Sequence, residues 1–211
     1  AISADAEGTS VYAQTKANGE AAVLASFPTA MILRPSVIFG NEDGFFNRFA
    51  GMTRMGPILP LVGGNTKFQP VYVDDVAQAA VLGVNGAAQG VYELGGPDVE
   101  PLQTTIHNML AVVRRRRLVI NTPFWLAKLI AGALDLGSFL TGGLVTNAIL
   151  TRDQVDSLKT DAVVAEGAMT LADLGIAATD YASVIPEYLW RYRPSGQYEA
   201  ITESAKNLKK A

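Results

Sequence analysis

Tyr12 and Lys16 stand four residues apart in SVYAQTKANGEAAVLASF, a spacing that on a helix puts both side chains on one face, one turn from each other. An ammonium at that distance favours phenolate over phenol. A tyrosine so poised can exchange a proton with a carbonyl or a hydroxyl near neutral pH. The pair has a plainer reading too, because Tyr-x-x-x-Lys arises by chance on many surface helices. Other residues offer less. His107, the only histidine, lies among Ile106, Met109 and Leu110 with no acidic or sulfur partner at ligand spacing, so no metal is expected. Asp74 and Asp75 are adjacent carboxylates at the start of a predicted helix, where capping is the expected role. Trp125 and Trp190 read as core or interface anchors. With no cysteine in the chain, a disulfide framework, a thiolate zinc site and cysteine nucleophily are excluded together.

Those side chains need a frame. Ser10 as N-cap, the spacing of Val11, Thr15, Ala22 and Val23, and Pro28 beyond the end predict a helix over about 10–26. Met31-Ile32-Leu33 is too short an apolar run for a buried helix and stops at Arg34-Pro35. It predicts a buried parallel strand that delivers Pro35 and Ser36 to its C-terminal edge, where α/β sheets bind ligands. A helix is expected over 44–55, a loop over 56–66 from its glycines and prolines, and then a short strand. Asp74 is expected to cap a helix carrying Val76, Ala79, Ala80 and Val84 on one face, and the glycine pair of VYELGG to end a further strand.

After residue 100 the rhythm turns helical with little strand, over about 101–113, PFWLAKLIAGALDLGSFL, 151–159 and 180–192. The expected organisation is an α/β unit over 1–100, a smaller, mostly helical region over 101–197 and a mobile tail over 198–211. Residues 123–150 are strongly apolar, but Lys128, Asp135 and several glycines break the run of ~20 residues a membrane span needs. A core helix, or failing that an interface-lying one, is expected there. The arginines at 114–117 read as the solvated end of a helix.

The motifs form an ordered series: Tyr12, Lys16 and Glu20, then Arg34-Pro35-Ser36-Val37-Ile38-Phe39-Gly40, then Pro70-Val71-x-Val73-x-Asp75-Val76-Ala77, then Tyr92-Glu93-Leu94-Gly95-Gly96. The series resembles the second half of the extended, or atypical, short-chain dehydrogenase/reductase family. FPTAMILRPSVIFGNEDGFFNRFA, GPILPLVGGNTKFQPVYVDDVAQAA, LTRDQVDSLKTD, LADLGI and EYLWRYRP are similar to one branch of it, the nucleotide-binding accessory subunits of respiratory complex I. The resemblance covers roughly 8 to 194. It implies a Rossmann-like parallel sheet, of which 1–100 would be the C-terminal half.

Carried over by residue, the resemblance implies that Lys16 hydrogen-bonds the nicotinamide ribose and that Tyr12 sits by the nicotinamide. Pro35, Ser36, Val37 and Ile38 would line the nicotinamide side. In an enzyme of the family Tyr12 would be the acid/base. In the complex I branch the nucleotide, NADPH or else NADP or NAD, would be structural. Implied partners are other complex I subunits near the quinone-binding region, with a lipid or membrane interface through 123–150. The implied place is peripheral, on the cytoplasmic face of a bacterial inner membrane or the matrix face of a mitochondrial one.

The family's glycine-rich phosphate loop should lie well upstream of the tyrosine, which only eleven residues precede here. Gly83, Gly86 and Gly90 have the wrong intervals and follow a helix, so they read as a chain turn. A catalytic serine or threonine has no supported candidate among Ser3, Thr9 and Ser10. The opening AISADAEGTS lacks an initiator methionine and any signal-peptide pattern, and reads as the interior of a longer protein.

Composition limits the rest. The 211 residues are 49% hydrophobic and 18% charged, with mean hydropathy +0.19, enough to build a core. A net charge of −3 gives no general attraction to phosphate backbones, so no nucleic acid partner is expected. Three functions stay open: a subunit that holds its nucleotide without turnover, an NAD(P)-dependent reductase, dehydrogenase or epimerase acting on a sugar nucleotide, steroid-like alcohol or quinone precursor, and a binding protein that senses NADPH.

Overall fold

The structure, a computed structural model, describes residues 1–140 and 151–198, with the side chains of 136–140 and 197 set aside. The tail expected beyond 198 and the 141–150 part of the apolar run lie outside the described residues. Ser10 starts α1 (Val11–Ser26) as expected, its hydroxyl accepting from the Ala13 amide at 3.1 Å. β1 (Met31–Pro35) follows, then β2 (Ile38–Phe39), α2 (Phe46–Met52), β3 (Ile58–Val62), β4 (Lys67–Phe68), β5 (Val71–Tyr72) and α3 (Val73–Val84). The second half carries β6 (Gly90–Leu94), β7 (Glu100–Pro101), α4 (Leu102–Val112), β8 (Leu118–Thr122), α5 (Phe124–Leu140), α6 (Arg152–Ser157) and α7 (Tyr181–Leu189).

β1 runs parallel to β6, from Met31 opposite Gly90 to Pro35 opposite Leu94, with α3 in the crossover. β2 pairs in parallel with β5 and β3 with β8, while β4 and β7 are antiparallel. Parallel pairs joined through helices make this an α/β fold of Rossmann type followed by a helix-rich C-terminal region.

Three local expectations are corrected. Residues 56–66 are not all loop: Ile58–Val62 form β3, with Leu59 and Leu61 buried on one face and Ile58 and Pro60 exposed on the other. Its partner β8 lies in a stretch expected to hold little strand. Asp74 does not cap α3, whose N-cap is Tyr72. Asp74 sits in the first turn, and Asp75 is buried with its carboxylate accepting from the Thr179 amide at 2.7 Å and hydroxyl at 3.0 Å. The arginine run is a solvated helix end only in part, with Arg114 and Arg116 exposed just past α4. α4 stops at Val112, Arg115 Nε donates to the Tyr192 carbonyl at 2.7 Å, and Arg117 Nε donates to the Thr53 carbonyl at 2.8 Å.

The main core joins Phe39, Phe46, Leu59, Leu61 and Phe68 to Ile106, Met109, Ile185 and Leu189. Phe46 stacks on Tyr181 with ring centroids 5.6 Å apart. Two tyrosine hydroxyls find carboxylates inside this core: Tyr181 donates to Glu100 at 2.7 Å and Tyr188 donates to Asp43. Asp43 also accepts from the Phe45 and Asn47 amides, at 3.0 and 2.9 Å, at the start of α2. A smaller core gathers Val71, Ala79, Tyr92, Leu94 and Leu171 around β1, β6 and α3.

α1 belongs to neither core. Ala13 is its one buried residue, and Val11 and Val23 are exposed. Within this chain, polar ties to α6 and β1 connect the helix that bears Tyr12 and Lys16 to the rest.

Candidate functional site

The first tie is at the N-terminus of α1. The Asp153 carboxylate, from α6, accepts from the Val11 amide at 2.7 Å and the Tyr12 amide at 3.3 Å. A carboxylate there satisfies two of the orphan donors of the first turn and complements the positive end of the helix. Ser157, one turn further along α6, places its hydroxyl 3.1 Å from that of Ser10. Ser10, one of three unsupported candidates for a catalytic hydroxyl, is the N-cap and is buried.

The second tie lies farther along α1. Glu20 takes the Arg34 guanidinium in a fork, with Nε at 2.9 and 3.1 Å and Nη2 at 2.6 Å. Arg34 also reaches Glu93 of β6 at 3.5 Å, and Glu93 accepts from the Ala165 amide at 2.8 Å. The Glu20 carboxylate pushes the Arg34 pKa above its ordinary value, outweighing the opposing effect of partial burial. Glu20, third in the Tyr-Lys-Glu series, is thus what fastens the helix to the strand that ends at Pro35.

Between these ties Tyr12 and Lys16 emerge on one face, as their spacing predicts. The Lys16 ammonium lies 5.4 Å from the centre of the Tyr12 ring, and Tyr12 is 45% exposed. Tyr12, Pro35, Ser36 and Val37 all border one cavity of about 600 Å³ between α2, β3, α5 and α6. Lys16 and Ile38 do not line it: Lys16 stands outside on α1, and Ile38 opens β2 with its side chain exposed. Four of the six residues singled out in the sequence therefore meet at one place.

Sequence reasoning missed Asp153 and the partner of Glu20. Thr151 and Gln154 form a reciprocal capping box at the start of α6, a local T-x-x-Q signal that marks where that helix begins. Nothing local says that the next carboxylate faces a helix start 142 positions earlier. Asp153→Ala is expected to cost about 1–2 kcal/mol, the usual worth of a helix cap assisted by charge, with Asp153→Asn keeping part of it. Urea denaturation of the two variants checks this, and equal stability of wild type and Asp153→Ala would refute it.

The remaining candidates do no chemistry that the geometry supports. His107 is exposed with Nδ1 2.7 Å from the Gln103 carbonyl, and the described residues hold no group of three or more His, Asp or Glu side chains that could hold a metal. Gly86 adopts positive φ in the turn between α3 and β6, and Gly90, also at positive φ, opens β6. Trp125, on α5, is 70% exposed beside exposed Leu129, a surface position and not a core one. No helix among the described residues is long and apolar enough to cross a membrane.

Residues 3–117 match the RmlD substrate binding domain. Over 97% of its length the chain is 34% identical to the mitochondrial NADH dehydrogenase [ubiquinone] 1 alpha subcomplex subunit 9 of Arabidopsis thaliana, covering 52% of that protein. Over 93% of its length it is 31% identical to the mitochondrial NADH-ubiquinone oxidoreductase 40 kDa subunit of Neurospora crassa, covering 50% of it. The chain thus spans about half the length of these curated relatives. Among solved structures, the Bordetella bronchiseptica enzyme WbmG in complex with NAD and UDP superposes with a TM-score of 0.56 at 14% identity, over 90% of this chain and 51% of that one. At that identity the likeness speaks for the fold.

Proposed function

Because the chain belongs to the RmlD substrate-binding-domain family of extended short-chain dehydrogenase/reductases, we propose that it is part of a nucleotide-binding accessory subunit of respiratory complex I. The observation that carries this reading is likeness to complex I subunits across nearly the whole chain, helical region included. The bound group is a nicotinamide nucleotide, NADPH by preference, with its nicotinamide beside Tyr12, its ribose at Lys16, and Pro35, Ser36, Val37 and Ile38 along one side. Residues 1–100 supply the later half of the nucleotide-binding unit and 101–197 a smaller, mostly helical one.

When bound, such a nucleotide supplies hydride chemistry. The residues of this chain bind and orient. Asp153 and Glu20 fix α1, α1 presents Tyr12 and Lys16, and β1 brings Pro35 and Ser36 to the same mouth. In this reading the nucleotide stabilises the subunit by binding the folded form alone, and is not consumed. The protein sits peripherally, on the matrix or cytoplasmic face of the membrane, against other subunits near the quinone-binding region. The exposed apolar face of α5 around Trp125 and Leu129 is suited to a lipid or subunit contact.

The test is co-migration. In membranes solubilised with mild detergent, the tagged full-length protein is expected to run with NADH dehydrogenase activity on a native gel, and separation of the two sinks the proposal. Retention of Tyr12 and Lys16 on one face favours a second reading, an active NAD(P)-dependent enzyme of the same family. Under the accessory reading Tyr12→Phe leaves NADH:ubiquinone turnover unchanged. A hundredfold or greater loss of an NADPH-dependent reduction, within the usual range for losing a general acid, would instead establish the second reading.

A further inference from the structure

The wall of the cavity beyond Tyr12 is mostly apolar, with Ser3, Thr122 and Thr160 among its polar members. Phe49 and Met52 of α2, Val62 of β3, and Ile130 and Leu134 of α5 face it, and Arg48 is the one charged side chain among its described lining residues. Several polar side chains on the wall are already engaged. Ser36 Oγ donates to the Ala162 carbonyl at 2.7 Å, Ser157 Oγ donates to the Asp153 carbonyl at 3.0 Å, and Gln154 Oε1 accepts from the Thr151 amide at 3.2 Å. A ligand rich in hydroxyls or phosphates would bury many of those groups against hydrocarbon, with few partners on the wall to take them, which is costly. A methylene chain gains from the same wall. The volume, about 600 Å³, suits one small molecule.

We propose that this cavity binds the hydrocarbon tail of a single-chain lipid, fatty-acyl or isoprenoid, with its oxygenated end at the mouth near Tyr12. The inference deepens the nucleotide-pocket reading and rests on it for what lies beside that oxygenated end. It narrows the substrate class open to this fold: the tail lies between α2 and α5, in place of a sugar nucleotide. Ile130 is half exposed at the wall and belongs to none of the three buried clusters, one of which includes its α5 neighbours Ala127 and Ala131, so a charge there meets the tail.

The test uses the full-length protein and the fluorescent fatty acid cis-parinaric acid, with NADPH binding measured separately by quenching of protein fluorescence. Saturable binding at one site per chain is expected, displaced by palmitate if the tail is fatty-acyl and by farnesol if it is isoprenoid. Ile130→Asp is expected to weaken parinarate binding at least tenfold while NADPH affinity stays within twofold. Leu134→Trp, which shortens the cavity without adding charge, is expected to shift the preferred fatty acid from long to medium chain by at least fivefold in relative affinity. Absence of saturable parinarate binding, displacement by UDP-glucose, or a Leu134→Trp protein with unaltered chain-length preference would each overturn the proposal. Loss of NADPH binding in the wild type, with parinarate retained, would count against the nucleotide reading alone.

Discussion

Gly96→Ala is expected to destabilise the fold by about 3 kcal/mol, near the upper end of what overpacking usually costs. A Cβ built on Gly96 would stand 2.0 Å from the Pro70 carbonyl oxygen, far inside contact, and that oxygen belongs to backbone that cannot swing aside as a side chain does. Pro70 leads into β5, Gly96 follows β6, and the Gly96 amide donates to the Gln69 carbonyl at 3.4 Å. The two strand ends are held face to face where hydrogen as a side chain is all that fits. Relief would have to come from moving β5, which pairs with β2, or the end of β6, which pairs with β1. Urea unfolding of Gly96→Ala measures the cost, and a loss below about 1 kcal/mol would show that the approach relaxes freely. Gly19, with nothing within 4 Å of its Cβ position, is the control: on α1 its replacement by alanine is expected to stabilise by about 0.5–1 kcal/mol.

Raising the pH should have the second large effect. Burial, then the hydrogen bond to the Asp43 carboxylate, pushes the Tyr188 pKa far above its ordinary value. Burial does the same for Tyr181, where Asn108 lowers it somewhat and Glu100 raises it. Both phenols stay protonated in the folded protein at a pH where unfolded tyrosine, with a pKa of about 10, has ionised. Their contribution is therefore complete below about pH 10 and lost as pH climbs beyond it, because the folded state alone keeps the protons. Each tyrosine should remove about 1.4 kcal/mol per pH unit, and the two together about 2.7. Urea midpoints taken between roughly pH 9 and 11.5 test this, and Tyr188→Phe should flatten the slope by about 1.4 kcal/mol per pH unit. An unfolding free energy that stayed level across that interval would contradict it.

Much of the site's scaffold could be read from local pattern. Ser10 and the spacing after it define α1, a short apolar run ended by Arg34-Pro35 defines β1, and the glycines after Leu94 end β6. What escaped depends on partners distant in sequence. ILPLV at 58–62 lies among Gly56, Pro57, Gly63 and Gly64 and contains Pro60, so it reads as loop. It becomes a strand because Leu118–Thr122, 60 positions away, pairs with it, and Pro60 is tolerated because β3 pairs with β8 alone among the described residues and leaves an open edge for a nitrogen without a hydrogen. Asp74 and Asp75 look alike as caps, and only Thr179 distinguishes them. Arg115 and Arg117 look solvated until the carbonyls of Tyr192 and Thr53 are placed beside them. Lys16 and Ile38 join the other site residues through family likeness alone, whereas the cavity itself gathers Tyr12, Pro35, Ser36 and Val37.

The Asp153 contact also sets a timetable. A ribosome adding roughly 5–20 residues per second delivers Asp153 roughly 7 to 30 s after Val11, since 142 positions separate them. During that interval the tyrosine-bearing helix has its local serine cap and, once Arg34 has emerged, the Glu20 fork. Its first turn is finished when the helical region arrives. Loop closure over such a distance slows folding more than it taxes final stability. Nascent chains halted before residue 153 would therefore carry a frayed α1 start, exposed to proteases at Val11 and Tyr12, and chains released a few turns later would be protected there.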